Sequence, residues 1–240
     1  MNYTVETDVT DINCDLQNAT VIIAEAADGI FRIEYPHCDG ISIGNGENSI
    51  FIAQRKRGLF FQAAKKIVIS VPAHTVPSVK INGKNCALEI AEGIYGQLCI
   101  NADGANINLC DCALEGVEIT GGEVNARVHG ATVKGTLLVQ AERGNLLVEN
   151  AFAKRAECRV KRGNIGLVNL NCKDCAFDTR KGNINAAITG AEEKFNTTIV
   201  TREGTANRAS AKRDGADGAF QAYADRGNIM LEFIEEKENA

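Results

Sequence analysis

The 240-residue sequence has no Trp, only 2 Met and 3 Pro, and aromatic residues make up 5% of it. A core built with so few rings must be filled by Val, Ile, Leu, Ala and Cys. The prolines, Pro36, Pro72 and Pro77, all lie in the first third. Beyond Pro77 every residue therefore keeps a backbone N–H, as uninterrupted sheet ladders require. No apolar run approaches the roughly 20 residues of a membrane-spanning helix. The opening Met1-Asn2-Tyr3-Thr4-Val5-Glu6 lacks the basic and apolar stretches of an export signal. Excess positive charge is missing too: 26 Lys and Arg face 31 Asp and Glu, a net charge of −5. That balance argues against sequence-specific nucleic-acid binding. The three histidines, His37, His74 and His129, are scattered without metal or triad spacing. No phosphate-binding loop, dinucleotide fingerprint or calcium repeat occurs. The expectation is a chain with no catalytic residues, no cofactor, no metal site and no transmembrane segment.

What is present begins with an ordinary foldable composition, 45% hydrophobic and 24% charged. Nine cysteines, an odd number without an export signal, point to free thiols in a reducing, cytoplasmic location.

The main signal is a repeat. Four segments match closely: Arg143-Gly144-Asn145-Leu146, Arg162-Gly163-Asn164-Ile165, Lys181-Gly182-Asn183-Ile184 and Arg226-Gly227-Asn228-Ile229. The first three glycines are 19 residues apart; Gly204 stands 22 after Gly182 and 23 before Gly227. Gly122, 22 before Gly144, and Gly104 mark weaker copies. Around each glycine apolar residues alternate with polar ones, as in Leu137, Val139, Ala141, then Leu146 and Val148. Alternation is the strand signature, and a Gly-Asn pair is a turn that tolerates positive φ.

Units carrying the same turn at the same point stack most simply with each strand over its equivalent. The pattern therefore predicts an all-β, single-stranded parallel β-helix with coils of about 20 residues. Val139, Cys158, Phe177, Ile199 and Ala222 are expected in one inward row. Asn145, Asn164 and Asn183 should stack on successive coils, with Asn228 two coils further on. A β-sandwich is the alternative, although its loops would not repeat one turn. One domain spans 1–240: less regular coils over 1–76, the regular repeat over 77–233, and a charged tail over 234–240 that blunts the last edge.

The strand Lys66-Ile67-Val68-Ile69-Ser70-Val71-Pro72, followed by repeated Gly-Asn-Ile turns, resembles the bacterial "putative adhesin" family of unknown function. The resemblance covers residues 10 to 233. It implies a right-handed parallel β-helix and homo-oligomers, with no established activity or catalytic residues. The adhesin label implies exposure outside the cell.

Individual motifs carry less. Gly40-Ile41-Ser42-Ile43-Gly44 matches the hydrolase elbow, but Ser42 sits in an alternating strand with another strand to follow. Cys110-Asp111-Cys112 and Cys172-Lys173-Asp174-Cys175 fall three coils apart, or ~14 Å at ~4.8 Å per coil. Zinc needs its sulfurs within ~4 Å of one another, so one shared site fails. Buried thiols are the simpler reading, with Cys172 and Cys175 a minor redox candidate.

Charge gathers before the repeated glycines. Arg143, Arg162, Lys181 and Arg226 stand one residue before; Lys161, Arg180 and Arg202 stand two before. Glu142, Glu203 and Asp225 share that edge. These seven cations are the candidate ligand-binding residues, for a linear polyanion or an anionic membrane surface. The segment Asn207-Arg208-Ala209-Ser210-Ala211-Lys212-Arg213-Asp214 is expected to bulge out and add contacts. Arg159 and Asp178 are expected to pair across coils. The leading function is a non-enzymatic β-helical scaffold or interaction protein. A polyanion-binding module comes next, and a polysaccharide-processing enzyme, resting on fold analogy alone, comes last. Open coil ends and outward Leu138, Leu147, Val168 and Met230 suggest self-association.

Overall fold

The structure, a computed structural model, describes residues 1–5, 9–36, 40–54 and 65–235. His37, Cys38 and tail residues 236–240 lie outside the described residues. Seventeen strands form a single sheet, and one 3-10 turn, Glu192–Lys194, is the only helical element among the described residues. The strands are β1 (Asn2–Val5), β2 (Asp11–Gln17), β3 (Ala19–Glu25), β4 (Phe31–Glu34), β5 (Ile41–Asn45), β6 (Ser49–Gln54), β7 (Lys65–Val71), β8 (Ser78–Lys84), β9 (Ala87–Asp103), β10 (Ala105–His129), β11 (Thr132–Arg143), β12 (Leu146–Arg162), β13 (Ile165–Lys181), β14 (Ile184–Thr189), β15 (Phe195–Glu203), β16 (Gly218–Arg226) and β17 (Ile229–Ile234).

Strand β12 shows how the sequence bends a strand into a coil. Leu146, Val148, Ala151, Ala153, Ala156, Cys158 and Val160 are buried. The alternation slips twice, at Glu149-Asn150 and at Lys154-Arg155, where two outward residues follow one another. Each slip is a corner. Asn150 takes φ 49° and its equivalent Asn169 takes φ 54°, a left-handed conformation that Asn tolerates. The Gly-Asn turn supplies the third corner.

Neighbouring coils pair in parallel with each residue over its equivalent. Val79 pairs with Leu98, Leu98 with Val117, Val117 with Leu137, Leu137 with Ala156 and Ala156 with Cys175. This parallel register excludes the β-sandwich alternative, whose strands pair antiparallel. The inward rows fill the interior: every side chain of this column is at most 2% exposed. At ~25 cal/mol per Å² of apolar surface, such rows are the main stabilising term.

The order of the last coils departs from the sequence expectation. Strand β13 pairs with β16, and β15 lies outside β16. The inward row thus runs Val139, Cys158, Phe177, Ala222, Ile199, not with Ile199 fourth. Asn228 follows Asn183 directly instead of two coils on. The N-terminal end is interleaved in the same way: β2 lies between β6 and β8, and β3 lies between β7 and β9.

Both coil ends carry covering segments among the described residues, where the sequence suggested bare coils. At the N-terminal end β4 covers β7 and β5 covers β6, both antiparallel, and β1 covers β4. At the other end the chain after Gly204 folds back. Ala211 exchanges two backbone hydrogen bonds with Thr197, at 2.8 and 3.0 Å. The Asn207 side-chain amide imitates a peptide group against β17: its Nδ2 donates to Leu231 O at 3.0 Å, and Leu231 N donates to its Oδ1 at 2.8 Å. Glu192 receives both Arg208 and Arg213, which pins this cap. The segment expected to bulge outward is therefore the lid of the coil stack. The edges it protects are those of β15 and β17.

Candidate functional site

The repeated turn depends on glycine at one position. Gly163 has φ +149°, and a Cβ there would lie 1.6 Å from Gly144 O on the coil below. The next residue builds an amide ladder. Asn145 N donates to Asn125 Oδ1 at 3.0 Å, Asn164 N to Asn145 Oδ1 at 2.9 Å, Asn183 N to Asn164 Oδ1 at 2.9 Å and Asn228 N to Asn183 Oδ1 at 2.8 Å. Thr205 ends it, donating its N–H to Asn228 Oδ1 at 3.0 Å. Gly122 does not belong to the glycine column: Glu123 pairs with Arg143, so Val124 lies under Gly144.

This rigid turn places the candidate cations in register. Arg143, Arg162, Lys181 and Arg226 form one column on four successive coils. Glu123 pairs below Arg143 and Glu203 above Arg226, so carboxylates close both ends of the column. Arg143 reaches Glu123 at 3.4 Å and Arg226 reaches Glu203 at 3.1 Å. In the adjacent column Lys161 pairs with Glu142, and Arg202 pairs with Asp225 at 3.3 Å. Four of the seven predicted cations are thus engaged. Arg162, Arg180 and Lys181, on two adjacent coils, have no ion pair among the described residues. Stacked cations at ~4.8 Å repel by ~1 kcal/mol in water.

Several expected contacts fall elsewhere. Arg159 does face Asp178 across the coils, but its guanidinium pairs with Glu157 at 2.7 Å. Of the outward apolar residues, Val168 and Met230 are exposed, whereas Leu138 and Leu147 are half-buried. Ser42 lies in β5, antiparallel to β6, and its Oγ donates to Ala53 O at 3.2 Å. It stands in a strand, not at the strand-to-helix turn that an elbow needs.

Stacking also assembles a column that sequence reasoning missed. Cys110, His129 and Glu149 occupy equivalent outward positions on three successive coils. The 19- and 20-residue spacings were the available signal. The geometry does not activate the thiol. Cys110 donates to Asp111 Oδ2 at 3.1 Å, and that bond pushes its pKa above the ordinary value. Glu149 is taken by Arg127 Nε at 2.8 Å, with His129 Nδ1 3.9 Å away.

Parallel strands stacked in register around an apolar interior, with four coils marked by the same Gly-Asn turn, define a β-solenoid. Its family follows from the sequence: the chain belongs to Toastrack DUF4097, whose model matches residues 9–239. Among solved structures, a "putative adhesin" from Parabacteroides distasonis ATCC 8503 is similar at 13% identity and TM-score 0.60, covering 97% of this chain and 95% of that one. A "putative adhesin" from Bacteroides fragilis NCTC 9343 covers 97% and 96% at 14% identity and TM-score 0.49. No curated protein matches the chain. At these identities the likeness is one of fold.

Proposed function

We propose that the protein is a non-enzymatic, adhesin-like scaffold, a right-handed solenoid that engages its partners through its lateral faces. The observation that carries this reading is the covering of both ends. The lid over β15 and the antiparallel strands at the N-terminal end leave the sides as the surface for contact. The scaffold associates with itself side to side through the face that carries Val168 and Met230, 42% and 46% exposed. Replacing both by Lys should reduce the mass measured by sedimentation. A wild-type monomer at every concentration refutes self-association. The thiol-rich interior suits a reducing, cytoplasmic compartment, which cell fractionation checks.

A second reading has its own observation: Arg162, Arg180 and Lys181 stand without ion pairs on adjacent coils. A rigid cationic spot of this kind binds a polyanion without an ordering cost. The test is the triple variant R162E/R180E/K181E against heparin, single-stranded DNA and anionic vesicles at two salt concentrations. The wild type should bind one of them with a steep salt dependence, and the variant should lose it. Equal binding by both, or by neither, leaves the ridge a solvated edge.

A further inference from the structure

Cys172 and Cys175 occupy an unusual corner. In a straight strand, residues three apart face opposite sides. Here Lys173 and Asp174 both face outward and the two cysteines both face inward. The register records the bend: Cys172 pairs with Ala153 and Cys175 with Ala156 on the coil below. Those alanines, with Cys158 beside them, line the corner with small side chains. The Cys172 sulfur lies 3.2 Å from Asp174 O, and the Cys175 sulfur lies 3.7 Å from Cys172 O.

The coil above is interrupted at this corner. Ladder pairs run from Leu170 to Ile188 on one side of it and from Asp174 to Ala219 on the other. Cys172 and Lys173 have no ladder partner on that coil, because β14 leaves the stack near Gly190 and β16 enters it at Gly218. A hollow of about 680 Å³ opens there, lined by Cys172, Lys173, Lys194, Asp217, Gly218 and Glu235, among others. The interleaving of the last coils thus leaves a hollow against Cys172, itself 2% exposed and the first residue of a Cys-x-x-Cys pair.

We propose that Cys172 and Cys175 form a reversible dithiol–disulfide couple that exchanges with small disulfides entering this hollow. The Cys172 thiolate attacks one sulfur of the incoming disulfide. That S–S bond breaks and the first thiolate leaves, taking up a proton. The Cys175 thiol then attacks the Cys172 sulfur of the mixed disulfide and passes its proton to the second leaving thiolate. One small disulfide is reduced to two thiols, and the protein dithiol is oxidised with the loss of two hydrogens. The roles are unequal by position: Cys172 lines the hollow, and Cys175 lies behind it. The interaction between the two thiols accords with this, holding Cys172 below the usual thiol range while raising Cys175.

The test uses the full chain and oxidised glutathione, followed by acid quench, alkylation and peptide mass mapping. The native protein should gain a Cys172–Cys175 bond that reduced glutathione reverses. C175A should stop at glutathione attached to Cys172, and C172A should leave Cys175 unmodified. Alanine already fills both positions on the coil below, so these variants keep the fold, as circular dichroism can verify. The proposal is overturned if the wild type forms no such bond under conditions that oxidise a reference Cys-x-x-Cys peptide. It is equally overturned if C172A accumulates glutathione on Cys175 as fast as C175A does on Cys172.

Discussion

Replacing Gly163 by Ala tests the stacked turn most directly. The new methyl would lie 1.6 Å from Gly144 O, a backbone atom that cannot rotate away, at φ +149°. Relief requires the two coils to part at the turn. That movement loosens the hydrogen bonds from Gly144 N to Arg162 O, 3.1 Å, and from Leu146 N to Asn164 O, 3.0 Å. Backbone strain of this kind costs ~1–3 kcal/mol, and two hydrogen bonds add ~1 kcal/mol each. The expected loss is about 3–5 kcal/mol, a large share of the stability of a typical domain. Gly215 supplies the control: its φ is +82°, but a Cβ there meets nothing within 4 Å. G215A should therefore cost only the conformational strain, ~1–2 kcal/mol. Urea unfolding followed by circular dichroism measures both variants on one scale, provided the slopes agree. If G163A loses no more stability than G215A, close stacking of the turns is not what selects glycine.

Two further outcomes follow from the ends and the interior. N207A removes the acceptor of Leu231 N on the edge of β17, while Arg208 Nε still holds Leu231 O; stability should fall by ~1–2 kcal/mol, and light scattering should show concentration-dependent growth beyond that of the wild type. A variant indistinguishable from wild type in both would remove Asn207 from the lid. Burial pushes the Cys14 and Cys112 thiols up from 9.0 to about 12. Below pH 9 both states keep these protons and the thiols add no pH dependence. Between pH 9 and about 12 the unfolded chain ionises first, so stability should fall by ~1.4 kcal/mol per pH unit for each such thiol. Urea midpoints measured at pH 8 and pH 10.5 check the direction, and C14A should flatten the decline.

The coil and its turn were legible because they repeat. Arg162-Gly163-Asn164-Ile165 and its copies fix the period, and alternation on either side fixes which residues face inward. The order of the final coils was not legible. Gly204 and Gly227 carry similar turns, and either could stack on Gly182 by local pattern alone. The structure shows what distinguishes them. An inner coil needs a side-chain carbonyl that accepts the backbone N–H from the coil above, which Asn228 provides, whereas Thr205, which donates its own N–H downward, suffices at the last position. Likewise the charged ridge was visible as a list of cations, but its neutralisation was not. Glu123 enters the column only because the register shifts to 20 residues between Glu123 and Arg143. The lid was mistaken for a loop because Asn207 does the work of backbone with a side chain, which no alternation records.

The interleaved ends give the solenoid a definite length. In an ordinary repeat array a duplicated unit can be appended at either end, since the last coil offers a free template. Here the outermost strand at the C-terminal end, β15, is made before the strand it must rest upon, β16. It has to wait outside the growing stack until β16 slips in beneath it. At the other end β2 and β3 are made first yet finish enclosed by strands made later. Loop closure across such gaps is slow relative to adding one neighbouring coil at a time. In this chain a coil can therefore be added or removed without disturbing either end only in the middle, between β8 and β13, where order in space matches order in the chain. Each terminus works like a tied knot rather than a cut end, and it sets the number of turns between them.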